Sequence, residues 1–566
     1  MSKKMVIVGG VAGGATAAAR LRRQSEEDEI IMFERGPHVS FSNCSLPYHL
    51  SGVVEDADDL VLMNPAIFKK QYNIDARVNS EVISIDREHK TVRVRDLQTK
   101  EIYEQGYDEL ILSTGAAPIV PNIPGIELVD VYTVRNVVDI DRLRKSAAKD
   151  KEQSIAVIGG GFIGIEVAEN LKKAGFDVTV IEAMPQILRP FDYDMVQIFH
   201  KELLDQGIHL IVNDKVESFE KNCVVLGSDR RIKADMVIMA IGVAPETTLA
   251  KEAGLEIGIS RGIKVDHNYR TSDPFIYAVG DAVEVYHALT HRATTIALAG
   301  PALKQAHTAA DHIHNRISAN KGYIGSSAIQ VFRYNGASTG LTEGLIEALK
   351  LQISYGIVRI ILSDKVGLMP DASPTHVKLL YEVPSGKILG AQAIGKGDVT
   401  KRMDVIATVI KFSGTLDDLK DLELCYAPPF STAKDLVNYA GYVGSNLLNQ
   451  DYSQVNVDKV RELVESGAVI IDVREVSEYE RGHVKGARNI PLSQLRERYQ
   501  EIPKEVPVYV HCRTGQRSYN AVRALINLGY QNAINITGSF LGISLFEYYN
   551  DVTMNREPIV TNYNFN

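Results

Sequence analysis

Two segments of this chain follow the same plan of strand, glycine-rich turn, helix and strand. Residues 4–35 contain KMVIVGG followed by ATAAARLRR, and residues 154–183 contain SIAVIGGGFIG followed by IEVAENLKKAG. A βαβ unit of about 30 residues with glycines at its first turn brings backbone N–H groups and a helix N-terminus to the phosphates of a dinucleotide. The repeat therefore predicts an α/β chain with two Rossmann-like dinucleotide-binding domains.

The second of these domains is predicted to lie inside the first, because each unit is followed later by its own apolar strand, ELILSTGAAP or MVIMAIGVAP. Beyond residue 325, antiparallel strand patterns and the turn PSGK at 384–387 indicate an α+β domain, and a compact α/β module follows. The predicted boundaries are 1–150 and 266–325 for the two parts of the first domain, 151–265 for the second domain, 326–444 for the α+β domain, 445–456 for a polar linker, 457–550 for the C-terminal module and 551–566 for a tail.

Composition excludes several classes of protein. The net charge of −9 argues against a surface for nucleic acid or anionic membrane. No apolar run reaches the roughly 18–20 residues of a spanning helix, and the glycines of the apolar N-terminus fit the first turn, so we expect a cytoplasmic chain without a signal peptide. Four cysteines in 566 residues form no disulfide framework, and the 14 histidines show no metal-binding spacing.

The first turn predicts an FAD site. Gly9, Gly13 and Gly14 lie between strand and helix, and Glu34 ends the next strand, where a carboxylate accepts a hydrogen bond from a ribose 2′-OH. Val11 occupies the middle glycine position, so this fingerprint is imperfect. The distant segment TSDPFIYAVGDAVE, with Gly280-Asp281, resembles the second FAD signature of two-dinucleotide flavoproteins, whose aspartate holds the ribitol–phosphate end of the flavin.

The second turn predicts an NADH site. Gly159, Gly161 and Gly164 complete the pattern G-x-G-x-x-G, and Glu182 ends the following strand. A carboxylate binds a free ribose 2′-OH and repels a 2′-phosphate, and Ala183-Met184 follow it without an arginine. NADH is therefore favoured over NADPH.

Cys44, in SFSNCSLPYHLSG, is the candidate redox cysteine. Here residues 1–444 resemble the pyridine nucleotide–disulfide oxidoreductases, a family with an interface domain that forms a homodimer. Most of its disulfide reductases carry Cys-x4-Cys, but His49 stands five residues after Cys44. A single thiol can hold oxidation only as a mixed disulfide, a persulfide or a sulfenic acid.

The resemblance is most specific to coenzyme A-disulfide reductase, on GGVAGGATAAARLRR and SFSNCSLPY. The related oxidases and peroxidases have a histidine where Ala12 stands. CYAPPFSTAKD resembles the segment whose tyrosine, here Tyr426, reaches the partner's active site, whereas Leu368 and Met369 stand near the family's second tyrosine. The resemblance implies coenzyme A or substrate contacts at Thr16, Arg20, Arg23, Ser40, Asn43 and Tyr426; FAD contacts at Gly9, Ala12, Gly13, Gly14, Glu34, Arg35, Asn43, Val82, Thr114, Gly115, Arg135, Gly280, Asp281 and Ala299; and NAD contacts at Gly159, Gly161, Ile163, Gly164, Glu182 and Gly242.

The C-terminal module contains a second candidate nucleophile, Cys512, in VYVHCRTGQRS. A strand leads to this cysteine and a helix follows at once, an arrangement that stabilises an anionic sulfur. The loop resembles the active site of rhodanese sulfurtransferases, and Asp472-Val473-Arg474 and Gly482-His483 resemble the upstream rhodanese signatures. The loop residues are Cys512, Arg513, Thr514, Gly515, Gln516, Arg517 and Ser518.

The combined interpretation is an FAD-dependent NADH reductase of coenzyme A disulfide, persulfides or polysulfide, in which Cys44 is reduced by the flavin and Cys512 carries a persulfide. Three alternatives remain: an NADH oxidase or peroxidase with a sulfenic acid at Cys44, a thiosulfate sulfurtransferase with an auxiliary flavin domain, and a redox-sensing flavoprotein. Cys223 is expected to be a packing residue. Cys425, which neighbours Tyr426, is also expected to pack in a core, with an approach to the partner's site as the alternative.

Overall fold

A computed structural model describes residues 2–149, 152–317 and 320–565. The chain forms two compact units, Met1–Pro185 with Ile211–Tyr323, and Gln186–Leu210 with Ile324–Asn566. Within the described residues, no helix combines the length and the apolar character needed to cross a membrane.

The first sheet of the first unit has five parallel strands. Their order is β18-β7-β1-β2-β3, with bounds β1 Lys4–Val8, β2 Glu29–Phe33, β3 Asp75–Arg77, β7 Glu109–Leu112 and β18 Ile276–Ala278. Helices α1 (Ala12–Arg22), α2 (Pro65–Tyr72) and α7 (Ala299–Ile313) belong to this domain, and the buried alanines of α1 and α7 share one core cluster. Strand β18 completes the sheet after the second domain, which confirms the predicted nesting.

The second sheet has the order β12-β11-β10-β16-β9. Its strands are β9 Val131–Tyr132, β10 Ser154–Ile158, β11 Asp177–Ile181, β12 His209–Ile211 and β16 Met236–Met239, and α3 (Val137–Ala147) and α4 (Phe162–Lys173) are its helices. Because β9 pairs in parallel with β16, this sheet already includes residues 131–132. The boundary predicted between residues 150 and 151 is therefore too late in the chain. Residues 150 and 151, where that boundary is predicted, lie outside the described residues.

Short antiparallel elements complete the first unit. They are the sheet β4 (Ser80–Asp86), β5 (Thr91–Asp96) and β6 (Ile102–Gly106); the sheet β13 (Val216–Glu220), β14 (Cys223–Leu226) and β15 (Arg231–Lys233); the ribbons β8 (Ala116–Pro118) with β17 (Val243–Pro245) and β19 (Val285–Tyr286) with β20 (Ala293–Thr294); and helix α6 (Thr248–Glu252).

The α+β part of the second unit is a five-stranded antiparallel sheet of order β21-β22-β25-β24-β23. Its strands are β21 Ser327–Val331, β22 Tyr334–Gly340, β23 Tyr355–Ser363, β24 Pro374–Glu382 and β25 Ile388–Gly395, and its helices are α5 Tyr193–Asp205, α8 Glu343–Ala348, α9 Thr400–Lys411, α10 Leu416–Asp421 and α11 Leu436–Leu448. Strands β24 and β25 pair directly, so the turn predicted at 384–387 is confirmed.

The C-terminal module is a parallel sheet of order β26-β30-β29-β27-β28. Its strands are β26 Ser453–Val455, β27 Val469–Asp472, β28 Arg488–Asn489, β29 Val508–His511 and β30 Ala533–Ile536, and its helices are α12 Val460–Glu465, α13 Val476–Glu480, α14 Leu495–Arg498, α15 Gln516–Asn527 and α16 Ser539–Met554.

The linker predicted at 445–456 is wrong. Helix α11 continues to Leu448, and β26 pairs with β30 as the edge strand of the module. Between them a turn at residues 449–452 carries Tyr452, which is buried in the module core, so the segment is a short packed connection. The predicted polar tail is likewise packed, because Ile559 and Val560 are buried.

Candidate functional site

The first glycine turn has the shape of a pyrophosphate cradle. Gly9 adopts a φ of +98°, and a Cβ on Gly14 would lie 1.8 Å from the Gly9 carbonyl oxygen. No side chain caps the N-terminus of α1 at Val11, so its backbone N–H groups remain for a ligand. The Glu34 carboxylate accepts from the N–H groups of Gly10 at 2.9 Å and Gly36 at 2.8 Å, which fixes it at the end of β2.

The two predicted FAD signatures meet in the folded chain. A Cβ on Gly13 would lie 3.2 Å from Val279 Cγ2, immediately before Gly280. The N–H of Gly280 donates to the fully buried Gln305 of α7 at 2.6 Å, and burial raises the pKa of Asp281. An acid at the meeting point of two glycine turns fits the phosphate and ribitol end of FAD.

The other predicted FAD positions are distributed around this fold. Thr114 Oγ1 donates to the Glu246 carbonyl at 2.5 Å, and Gly115 has a φ of +69°. Burial, followed by the charge of Arg35, lowers the pKa of Arg135. The remaining positions lie in α1 (Ala12), at the start of a short 3₁₀ helix (Asn43), in β4 (Val82) and at the first residue of α7 (Ala299).

The second glycine turn repeats the geometry of the first. Gly159 has a φ of +109°, and a Cβ on Gly164 would lie 2.0 Å from its carbonyl oxygen. The Glu182 carboxylate accepts from the N–H groups of Gly160 at 2.7 Å and Met184 at 2.8 Å. A cavity of about 270 Å³ opens beside Gly159 and Glu182. Of the other predicted positions, Ile163 lies on α4 with 39% exposure, and Gly242 is exposed with a φ of +134°.

Cys44 lies exposed in the 3₁₀ helix Asn43–His49. Burial of its sulfur, followed by the negative charges of Glu166 and Asp281, raises the pKa of its thiol. The protein's own groups therefore oppose ionisation of the Cys44 thiol, whereas a lowered pKa would favour its action as a nucleophile. His49, at the position of the usual second cysteine, is buried with Nδ1 2.9 Å from the Val54 carbonyl oxygen.

Glu166 is a residue of this site that sequence reasoning missed. It projects from α4, the helix after the second glycine turn, and contributes charge at both Cys44 and Tyr48. Burial and the neighbouring Glu169 raise its pKa to about 7, so it titrates near neutrality. No local signal identifies it, because only the fold brings α4 to the 3₁₀ helix of Cys44.

The predicted substrate residues are held in different ways. Thr16 and Arg20 lie on α1, and Arg20 Nη2 forms an ion pair with Asp311 of α7 at 2.7 Å. Arg23 is exposed at the end of α1, and burial followed by the charges of Arg20 and Arg23 lowers the pKa of His307. Ser40, whose φ is +48°, donates its N–H to the Gly10 carbonyl at 2.8 Å.

The segment around Tyr426 lies at the surface. Tyr426 is 49% exposed, and Cys425 is exposed, so the expectation that Cys425 packs in a core is wrong. Cys223 lies half-buried in β14, in the strand where it is predicted. Leu368, at the departure from the family pattern, is 87% exposed.

Cys512 lies at the junction of β29 and α15. Its side chain is buried, and the N–H of Gly515 points at its Sγ from 3.2 Å. The N–H of Cys512 donates to Ser539 Oγ at 3.1 Å, and Ser518 Oγ donates to the Gly515 carbonyl at 3.0 Å. The loop therefore presents one backbone donor, the Gly515 N–H, to its own sulfur, which is an arrangement that suits an anionic sulfur.

Two arginine–carboxylate pairs frame this loop. The buried Arg474 binds Asp472 through Nη2 at 2.6 Å, and Arg517 binds both oxygens of Glu478 at 2.6 and 2.8 Å. Gln516 begins α15, whose N-cap is Gly515, and Thr514 precedes that glycine. Glu478 and Ser539 are hydrogen-bond partners of this loop that the sequence analysis did not identify.

Three family models match the chain in succession. The pyridine nucleotide-disulphide oxidoreductase family matches residues 3–312, its dimerisation domain matches residues 326–436, and the rhodanese-like domain matches residues 456–545.

Similar proteins cover most of the chain. A coenzyme A disulfide reductase of Staphylococcus epidermidis is 34% identical over 78% of this chain and 99% of its own. The crystal structure of reduced Bacillus anthracis CoADR-RHD is 45% identical, with a TM-score of 0.93 over 97% of this chain and 99% of its own. A NAD-dependent persulfide reductase from A. fulgidus is 33% identical, with a TM-score of 0.90 over 96% of this chain and 99% of its own.

Proposed function

Because the chain belongs to the pyridine nucleotide-disulphide oxidoreductase family and carries a C-terminal rhodanese-like domain, we propose that it uses NADH and FAD to reduce low-molecular-weight disulfides or persulfides. The fused module handles the same sulfur as a sulfurtransferase. The substrate class rests on the relatives, which are named for coenzyme A disulfide and persulfide reduction.

One observation carries the proposal: the flavin domain has a single accessible thiol at its site. Cys44 is exposed there, while the position of the usual second cysteine is the buried, hydrogen-bonded His49. An internal disulfide is impossible at this position, so sulfur from the substrate can be held on Cys44 only as a mixed disulfide or a persulfide.

The chemistry at Cys44 follows from this constraint. Its thiolate attacks the outer sulfur of a persulfide or one sulfur of a disulfide, the S–S bond breaks, and a thiolate leaves. Bound NADH and FAD supply the two electrons that return Cys44 to the thiolate, with release of sulfide or of the second thiol. Glu166, with a pKa of about 7, is placed to exchange the accompanying proton.

Cys512 performs the second reaction. Its sulfur attacks the outer sulfur of a donor such as thiosulfate, sulfite leaves, and Cys512 becomes a persulfide. A second nucleophile, such as a coenzyme A thiolate, then takes that sulfur and restores Cys512. Gly515 N–H and the α15 N-terminus support the anionic states of this cycle.

We further propose a homodimer and a cytoplasmic location. The dimerisation-domain match and the exposed Tyr426 support the dimer, in which this tyrosine serves the partner's site. Coenzyme A contacts are assigned to Thr16, Arg20, Arg23, Ser40 and Asn43. The ion pair of Arg20 with Asp311 leaves Arg23 as the more accessible cation of the two.

The test is anaerobic NADH consumption with coenzyme A disulfide, coenzyme A persulfide and polysulfide. Cys44→Ser is expected to abolish turnover, whereas Cys425→Ser and Cys223→Ser serve as matched thiol controls and retain it. Slower turnover in Cys512→Ser would show that the two modules act in sequence. Turnover with oxygen or peroxide alone would instead support the oxidase interpretation.

A further inference from the structure

The last residues of the chain fold back onto the module that contains Cys512. Val560 forms an antiparallel bridge with Val484, and the N–H of Lys485 donates to the Ile559 carbonyl at 2.8 Å. The N–H of His483 donates to Thr561 Oγ1 at 3.0 Å. Residues 559–565, which we call the C-terminal strap, are therefore joined by backbone pairing to the Gly482-His483 signature.

Gly482 permits the close approach of the strap. Its φ of +152° favours glycine, and a Cβ here would lie 2.4 Å from the Asn562 carbonyl oxygen. The carbonyl oxygen of Gly482 itself accepts from Arg474 at 2.8 Å. One residue thus connects the strap to the arginine–carboxylate pair beside the Cys512 loop.

Aromatic side chains hold the end of the strap. The rings of Tyr563 and Phe565 stack with centroids 5.9 Å apart, and each packs edge-on against Tyr548 of α16. The ammonium of Lys201 lies 4.2 Å from the Phe565 ring, and the Tyr563 hydroxyl donates to Asp551 at 2.5 Å. These contacts fix the residue between the two rings, Asn564.

Asn564 contacts the Cys512 loop directly. Its carbonyl accepts from Nη1 of Arg513, the residue after Cys512, at 3.0 Å. The backbone of the loop is held separately, because the Cys512 and Arg513 carbonyls accept from the N–H groups of Phe540 and Leu541 at 3.0 Å. The strap therefore acts on the Arg513 side chain and leaves the path of the loop unchanged.

The position of Arg513 matters because its neighbours carry the same charge. Burial, followed by the charges of Arg474, Arg481 and Arg517, lowers its pKa against the opposing charge of Glu478. A guanidinium that like charges repel needs fixed acceptors to stay at the mouth of the loop.

We propose that the C-terminal strap is part of the sulfurtransferase site and that Asn564 and Phe565 are positioning residues, holding Arg513 so that Cys512 receives an anionic sulfur donor. This inference rests on the proposed sulfurtransferase function. It assigns donor recognition to a segment that lies outside the Cys512 loop and outside the two upstream signatures. This segment also lies beyond residues 456–545, which match the rhodanese-like domain.

The test is thiosulfate:cyanide sulfurtransfer by the full-length protein. Phe565→Ala is expected to raise the KM for thiosulfate roughly three- to tenfold, with kcat changed less than about twofold, because a charge-assisted contact is loosened and the nucleophile is untouched. Phe565→Tyr keeps the stacked ring and should restore the wild-type KM. A chain ending at Tyr563 removes the Asn564 carbonyl and should behave like Phe565→Ala.

A double-mutant comparison separates positioning from general loosening. In an Arg513→Gln background, Phe565→Ala should produce no further rise in KM, because the contact that it disturbs is already gone. The same rise in both backgrounds, or none in either, would overturn the inference. Thermal unfolding of each variant, followed by circular dichroism, reports whether the chain is folded.

The failure of the proposed function has a different signature. If wild-type protein transfers no more sulfur than Cys512→Ser, the sulfurtransferase assignment fails and this inference falls with it. If wild type transfers sulfur through Cys512 and the strap variants match it, only the inference is wrong.

Discussion

Cys44 and Cys512 carry the same side chain in opposite electrostatic surroundings. Partial burial, followed by the negative charges of Glu166 and Asp281, raises the pKa of the Cys44 thiol. The loop of Cys512 instead contains Arg513 and Arg517 and backbone donors. The first site therefore disfavours a thiolate at Cys44, whereas the second places cationic side chains and a backbone donor near the Cys512 sulfur.

The charge on Glu166 predicts a pH effect at Cys44. A carboxylate raises the thiol pKa only when ionised, and the pKa of Glu166 is about 7, so its influence is present above that pH and fades below it. Glu166→Gln should therefore lower the Cys44 pKa and increase its alkylation rate by roughly two- to tenfold between pH 7.5 and 8.5.

The measurement is the pH profile of iodoacetamide alkylation at Cys44, read by mass spectrometry. Glu101→Gln, an exposed carboxylate on the same unit, is the matched control and should leave the profile unchanged. A Glu166→Gln profile that overlies wild type would contradict this electrostatic account.

At the scale of structural elements, two glycines of the second glycine turn have different surroundings, although they belong to one motif. Gly164 packs against the first strand–turn junction, where a Cβ would lie 2.0 Å from the Gly159 carbonyl oxygen. A Cβ on Gly161 would meet no described protein atom within 4 Å beyond its chain neighbours, and this residue has ordinary extended backbone. Gly164 is therefore needed by the fold, whereas no contact among the described residues requires a glycine at position 161.

Alanine substitutions should distinguish these roles. Gly164→Ala should destabilise the protein by about 1–3 kcal/mol, because the backbone must move to admit the methyl group. Gly161→Ala should leave thermal unfolding unchanged and weaken NADH binding by steric contact with the pyrophosphate. Differential scanning calorimetry and NADH titration of both variants provide the check, and an equal loss of stability in both would refute the distinction.

At the scale of the whole molecule, a buried charge cluster joins segments that are far apart in sequence. Lys378 of β24 is buried and forms ion pairs with Asp192 at 3.1 Å, Asp194 at 2.8 Å and Glu343. Although burial opposes its charge, these carboxylates raise the pKa of Lys378. The Lys378 ammonium pairs with all three carboxylates and so offsets the repulsion among them.

Removing this ammonium should be costly. Lys378→Met leaves three carboxylates clustered without their shared cation, and breaking such buried pairs typically costs about 3–5 kcal/mol. The loss should grow as pH rises from 5 to 8, because burial raises the pKa of Glu343 and the charge of this carboxylate is added to the cluster over that range. Urea unfolding at both pH values tests this, with the exposed Lys411→Met as control; a variant as stable as wild type at pH 8 would exclude the role.

Much of this architecture could be predicted from local patterns. The glycine turns, the βαβ units and the strands leading to Cys512 involve contacts between neighbours in sequence, which periodicity and turn chemistry specify. The structure of region 445–456 could not be predicted in this way. Its polar composition is typical of a linker, but it contains the end of helix α11 and the edge strand β26, whose partner β30 (Ala533–Ile536) lies much further along the chain.

The sequence by itself determined the two glycine turns with their βαβ units, the single cysteine at the flavin domain and the second cysteine at a helix N-terminus, because each depends on short-range geometry. Only the tertiary structure placed Glu166 beside Cys44, exposed Cys425 and brought the C-terminal strap to Arg513. These relations join residues from distant parts of the chain, and burial and electrostatic interaction depend on distance in space rather than on position in sequence.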